Sequence, residues 1–405
     1  MRVMERLPHN DKSEKLGVFS FFLILTLIFI PLATQKSTHP PQETDNHGFL
    51  QISSVTDFFS ALRFKTMTLP GKKFNKIAIA SPQAPPAPPP QTVPQPAVKP
   101  ESQQPVKLTP APITSSNPFR GEKFFIDPTS SARQWVTQYK SKNPQDALLM
   151  EKVASHPWAT WFGSWNTDVK KSVTSAVNAI SAAHSLPVLV AYNIPQLDCN
   201  ISAGARSASA YKTWIKNFAD GIGSKKAIVL LEPDALGGID CLSTAKQEER
   251  FSLISYAVWV LKAKGNIFVY IDAGNPTWAS QEAMAERLKK SGIANAQGFA
   301  LNISNFFTTE DNITYGKKLS SLVEGKHFII DTSRNGKGPA QDLQWCNPKD
   351  RGLGEKPTAN TADPLVDAYY WIKTPGESDG TCNGGPTAGK FWPVYALTLA
   401  KNASW

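Results

Sequence analysis

From Asn117 to Trp405 the chain alternates short runs of β-branched and aromatic residues with longer amphipathic stretches. The runs are Lys123–Asp127, Leu186–Tyr192, Ala227–Leu231, Asn266–Ile271, Gly298–Leu301, His327–Ile330 and Tyr369–Ile372. Their length and composition predict strands. Between them, Ser130–Tyr139, Val169–His184, Ser207–Gly221, Ala245–Ala263, Gln281–Lys290 and Ile313–Val323 carry apolar residues at helical spacing. Such alternation predicts an α/β fold with a parallel sheet and right-handed crossovers, either closed as a barrel or doubly wound. No G-x-G-x-x-G follows the first run, which weighs against a dinucleotide-binding fold.

The polar chemistry comes directly after the apolar runs. Leu186–Tyr192 is followed by NIPQLDC, Ala227–Leu231 by EPDAL, Asn266–Ile271 by DAGN, Gly298–Leu301 by NISNF and His327–Ile330 by DTSRNG; the last run leads into KTPGESDG. A single Asp after a strand is ordinarily a helix cap or turn former. Polar clusters after six successive strands instead predict a carboxylate-rich cleft at the C-terminal ends of a barrel. Trp161, Trp165, Trp278, Trp345 and Trp371 lie in or near these loops and offer flat apolar faces for stacking on sugar rings. Carboxylates in such a cleft could hold Mg²⁺ or Ca²⁺, or do acid–base work on a sugar. There is no D-x-D-x-D-G loop or phosphate-binding motif, so sugar chemistry is expected rather than a metal site.

Composition changes the picture mainly before Asn117. The chain has 405 residues, 32 prolines and a formal charge of +10 that divides about evenly on either side of Asn117. Residues 1–15 are expected to stay in the cytoplasm. Residues 16–35, LGVFSFFLILTLIFIPLATQ, carry no charge and are long enough in helical form to cross a bilayer, as an uncleaved anchor or the apolar part of a signal peptide. Residues 36–80 show no sustained period; their basic cluster Arg63, Lys65, Lys72, Lys73 and Lys76 suits a solvated surface or attraction to an anionic lipid surface, and not nucleic acid. Residues 81–116 are a Pro-rich spacer, and 117–405 are expected to form the folded domain. The protein is therefore expected to be exported, anchored or secreted, with its folded domain outside the cytoplasm, as a monomer. The four cysteines, Cys199, Cys241, Cys346 and Cys382, favour disulfides in that compartment and allow three pairings.

The local sequences are more specific. Tyr192-Asn193-Ile194-Pro195 through Asp198-Cys199, Glu232-Pro233-Asp234-Ala235-Leu236, Trp345-Cys346-Asn347-Pro348 with Arg351-Gly352-Leu353-Gly354-Glu355, and Trp371-Ile372-Lys373 with Pro375-Gly376-Glu377-Ser378-Asp379-Gly380 occur in this order. Together they resemble glycoside hydrolase family six, the cellulases with a distorted, incomplete α/β barrel. The resemblance implies inverting hydrolysis of internal β-1,4-glucosidic bonds in cellulose or a related β-glucan, without a cofactor. Asp234 matches the general acid, Asp198 the neighbour that tunes it, and Asp379 the residue usually proposed as base. Tyr192 matches the tyrosine beneath the distorted sugar. Asp272, Trp278, Trp345, Lys373 and Glu377 match residues lining the sugar subsites, and Trp161 and Asn305 are further candidates for substrate binding. The pairings Cys199–Cys241 and Cys346–Cys382 are implied by the same resemblance.

The chain departs from the family at Gln196-Leu197, where Gly-Arg is common, and at Thr374-Pro375, where two prolines are usual. Leucine at 197 is expected to remove a guanidinium from beside the carboxylates and polar surface from the cleft floor. The loop around Asp379 is expected to be polar and exposed, with Gly376 and Gly380 letting it move. The compact stretch from Trp345 to Cys382 favours an open cleft and endo action. The alternatives are a cellobiohydrolase, or a glucan-binding relative of low activity.

Overall fold

A computed structural model of the chain describes residues 117–197 and 204–405. The expected anchor, the basic cluster, the Pro-rich spacer, Asp198 and Cys199 lie outside the described residues. Among those described, no helix is long and apolar enough to cross a membrane, and no cluster of three His, Cys, Asp or Glu is arranged to hold a metal ion.

Seven parallel strands follow one another in sequence order in a single sheet: β1 (Thr160–Gly163), β2 (Val188–Tyr192), β3 (Ala227–Leu231), β4 (Ile267–Asp272), β5 (Gly298–Leu301), β6 (His327–Asp331) and β7 (Val366–Tyr370). The helices are α1 (Ser131–Tyr139), α2 (Pro144–Ala154), α3 (Val169–Ala182), α4 (Ala208–Ile222), α5 (Thr244–Lys262), α6 (Gln281–Lys290), α7 (Thr309–Leu322) and α8 (Pro393–Lys401). The sheet curls until its ends meet at a single bridge, Trp158 to Trp371, where the Ala159 N–H donates to the Trp371 carbonyl at 3.0 Å. This is the distorted, incomplete α/β barrel that the sequence implies.

The strands are buried on both faces, so they read as continuous apolar runs. Their two-residue period still sorts the side chains. Val188, Val190, Ile228, Leu230, Tyr270 and Ile329 fill the barrel interior, and Phe119 and Phe124 join that cluster. Leu189, Ala191, Val229, Leu231, Val269 and Ile271 face outward against α3, α4, α5 and α6. Each fully buried Leu or Ile contributes roughly 1.5–3 kcal/mol. Helix starts are written locally: Asp168, Ser207 and Ser280 accept from the backbone N–H three residues on, and Thr308 forms a capping box with Asp311.

Several elements differ from expectation. Lys123–Asp127 makes only one bridge, Phe124 to Leu186, and the first strand is the aromatic Thr160–Gly163 segment. The last strand begins at Val366, not Tyr369, because its Asp367 is buried and satisfied by His327 Nδ1 at 2.9 Å and the Tyr270 hydroxyl at 2.5 Å. Helices α2 and α8 pack with α1 around Trp371 in a third apolar cluster.

Candidate active site

The loops after β2, β3 and β4 build one side of the cleft. Immediately after β3, Glu232 and Asp234 adopt left-handed backbone conformations, φ 52° and 70°, that non-glycine residues adopt at a cost. The turn is pinned from both ends. Asp234 N–H donates to Asp272 Oδ2 at 3.0 Å, and Gly238 N–H donates to the Asp234 carbonyl at 2.9 Å. The Asp234 carboxyl is thereby presented half-buried, with the Tyr192 hydroxyl donating to its Oδ2 at 3.4 Å.

Asp272 lies beneath this turn, almost wholly buried, and also accepts the Gly274 N–H at 3.2 Å. Burial, and then the neighbouring Asp234 carboxylate, push its pKa well above the ordinary value. The Trp161 ring meets the edge of Tyr192 at 5.4 Å between centroids, and its Nε1 donates to the Ile372 carbonyl at 2.8 Å. Trp165 flanks Tyr192 at 6.5 Å. Trp278, 38% exposed, packs directly over Gly237 and Gly274, where any side chain would collide with the indole.

Loops after β5, β6 and β7 build the other side, and Asp331 ties them together. This last residue of β6 is buried and accepts N–H groups from Ser304, Ser333, Ile372 and Lys373. Asp379 is 6% exposed at its side chain and pairs with Arg334 Nη1 at 2.7 Å. Lys373 Nζ stands 3.7 Å from Asp379 and 3.9 Å from Glu377. Asn347 grips the Asp379 backbone and carboxylate together: its N–H donates to Oδ2 at 3.0 Å, and its Oδ1 accepts the Asp379 N–H at 2.8 Å. Burial alone would raise the Asp379 pKa; Arg334, Lys373 and these hydrogen bonds overcome it and hold the carboxyl below its ordinary value. Burial raises Glu377, with Lys373 opposing it.

Asn305 is buried, donating to the Ile303 carbonyl at 3.1 Å, and Trp345 is 64% exposed beside Cys346. The Cys346–Cys382 disulfide staples the Trp345 loop to the segment after Asp379. Cys241 is also disulfide-bonded.

Several expectations change here. The Asp379 loop is not exposed but packed and ion-paired. Trp371 is wholly buried, donating to the Glu355 carbonyl at 3.0 Å, and offers no platform. Leu197 is 5% exposed and belongs to the outer apolar core, not to the polar cleft floor. Two residues were not singled out from the sequence: Arg334 and Asn347. An arginine three residues beyond an apolar strand was the available signal for Arg334; for Asn347, inside a four-residue motif, the sequence gives no sign of its two-point grip.

A sequence profile of Glycosyl hydrolases family 6 matches residues 119–403. The chain belongs to this family. Among characterised members, it is 43% identical over 286 residues to endoglucanase A of Cellulomonas fimi, covering 70% of this chain and 62% of that protein. It is 41% identical to endoglucanase 1 of Streptomyces halstedii, covering 68% and 88%. The endoglucanase Cel6 of Mycobacterium tuberculosis, solved with methyl-cellobiosyl-4-deoxy-4-thio-β-D-cellobioside, superposes with a TM-score of 0.68 at 45% identity, covering 72% of this chain and 100% of that one. The chain spans less than two thirds of the length of the Cellulomonas protein.

Proposed function

We propose that the protein is an inverting endo-β-1,4-glucanase acting on cellulose or a related β-glucan, outside the cytoplasm. The observation that supports this best is the division of the cleft into two carboxylate centres of different character. On one side Asp234 stands half-buried over a buried Asp272 carboxyl whose pKa is raised, in reach of Tyr192. On the other, Asp379 is held ionised by cations.

In this scheme Asp234 gives its proton to the glycosidic oxygen as the C1–O bond breaks. Water attacks C1 from the opposite face, forming the new C1–O bond and passing its proton towards Asp379. The product at C1 is inverted. Asp379 is a weak base by its lowered pKa, which suits water attack on a carbon already cationic in character, where little proton removal has occurred. Asp198 would tune the acid, and Trp161, Trp278, Trp345, Asn305, Lys373 and Glu377 would line the subsites.

Proton NMR of soluble β-glucan hydrolysis should show the α-anomer first. Asp234→Ala should lower turnover by about 10²–10⁴-fold while sparing substrates whose leaving group needs no proton. First appearance of the β-anomer, or equal loss on both substrate types, refutes the scheme.

A further inference from the structure

Two loops on the acid side share an anchor that the scheme above does not use. After β2 the chain runs Asn193–Leu197 into Asp198, and after β3 it runs Glu232–Ala235. Gln196, Glu232 and Asp234 in these loops have φ of 58°, 52° and 70°. Left-handed non-glycine residues persist where their surroundings over-determine them. The N–H groups of Asn193 and Ile194 both donate to Glu232 Oε2 at 2.8 Å. The carbonyls of the next two residues, Pro195 and Gln196, accept from Arg250 Nη2 at 2.9 and 2.6 Å, while Nη1 of the same guanidinium donates to the Ala235 carbonyl at 3.1 Å. Arg250 reaches in from α5 and is 2% exposed.

We propose that Arg250 is a positioning residue for catalysis, clamping the β2 and β3 loops together so that the residue beside Ala235, Asp234, meets the glycosidic oxygen in a protonating geometry. This rests on the reading of Asp234 as the acid. A guanidinium presents its donors in one rigid plane, so carbonyls bound to it are fixed relative to one another. Arg250 thus couples the left-handed turn at Gln196 to the turn at Asp234. These three hydrogen bonds fall on backbone carbonyls, the nearest of them one residue from Asp234 and two from Asp198 along the chain. Buried at 2% exposure, Arg250 acts by positioning the loops rather than by presenting itself to the sugar. Misplacing a catalytic group by about 1 Å is enough to cost up to a hundredfold in rate.

The test compares the full chain with Arg250→Lys, Arg250→Met and Asp234→Asn on cellotetraose, whose leaving group must be protonated, and on a dinitrophenyl cellotrioside, whose leaving group need not be. The ratio of the two kcat values is independent of how much enzyme is folded. Arg250→Met should lower that ratio by about tenfold or more with KM changed by less than about threefold, and Arg250→Lys, which keeps donors to the carbonyls, should fall between it and the parent. Should Arg250→Met fail to fold, the Lys variant decides alone. An unchanged ratio in the folded Arg250 variants, beside a lowered one in Asp234→Asn, overturns the positioning role and leaves the acid assignment intact. An unchanged ratio in Asp234→Asn overturns that assignment and this proposal with it.

Discussion

At Asp379 burial acts against three partners, Arg334 Nη1 at 2.7 Å, the Asn347 N–H at 3.0 Å and Lys373 Nζ at 3.7 Å, and the partners win. The carboxylate stays ionised to lower pH than an ordinary Asp, so the acid limb of activity should lie low. Replacing Arg334 by Met leaves burial with less opposition, and an opposite charge at such range is worth about 1–3 pH units. The acid limb of kcat/KM in Arg334→Met should therefore rise by that amount; an unmoved limb would show that another group sets it. Glu232 works the other way. Burial raises its pKa from 4.5 to about 7, against the pull of the Ile194 and Asn193 N–H groups, the Tyr211 hydroxyl on α4 and Arg250 on α5. The folded state thus holds this proton more tightly than the unfolded one. The stability it confers is complete below pH 4.5 and is lost as pH rises through about 7, on the order of 3 kcal/mol in all. Glu232→Gln, able to keep both N–H bonds through its carbonyl, should gain on the parent in urea unfolding between pH 5 and pH 8. A constant difference across that range would mean that Glu232 does not titrate there. Leu197 shows how neighbours redefine a sequence departure. Buried in the outer apolar cluster at 5% exposure, it offers no opening to the cleft, so Leu197→Arg would bury a guanidinium in the apolar core.

Among the elements, glycine placement shapes the cleft as much as the carboxylates do. A Cβ on Gly237 would lie 2.0 Å from the Trp278 ring, although the backbone there is open to any residue. Gly237→Ala should therefore displace the indole rather than strain the chain, raising KM for cello-oligosaccharides by about tenfold with kcat nearly kept. An unchanged KM would remove Trp278 from the binding surface. The same loops explain what could be read from the sequence. Apolar runs ending in EPDAL, DAGN and DTSRNG announced strands, and the cleft at their ends, because a parallel sheet buries both faces and leaves polar residues only where the strand stops. The Thr160–Gly163 strand was hidden because four residues with one Trp and one Gly show no period. Val366–Tyr370 was shortened because Asp367 looks like a turn residue, and only the fold brings His327 and Tyr270 to it. Arg334 and Asn347 escaped for a related reason: their partner, Asp379, is 45 and 32 residues away along the chain.

For the whole molecule, the fold limits what the surface can offer. Asn302 and Asn312 stand in N-x-S/T sequences but are wholly buried, and their side-chain amides donate to the Phe307 carbonyl at 3.1 Å. Neither can accept a glycan in the folded state. The same accounting applies to the domain boundary. The barrel floor is closed by Phe119, fully buried, whose ring packs against Tyr270, Tyr370 and Phe124 at 6.0–6.2 Å. Asn117 fastens that segment: its Nδ2 donates to the Asp367 carbonyl at 2.7 Å, and its Oδ1 accepts the Phe119 N–H at 2.9 Å. These contacts need the chain from Asn117 onward. A polypeptide beginning near Ser115 keeps all of them, together with the three apolar clusters, the Cys346–Cys382 staple and both carboxylate centres. It should fold cooperatively and hydrolyse soluble β-glucan within about twofold of the full chain per folded molecule, as expected of a domain with its own core. Starting instead at Glu122 would remove Asn117 and Phe119 and open the floor, at a cost of about 3–5 kcal/mol for the Phe alone. Insolubility of the Ser115 form, or equal stability of the two, would place the boundary elsewhere.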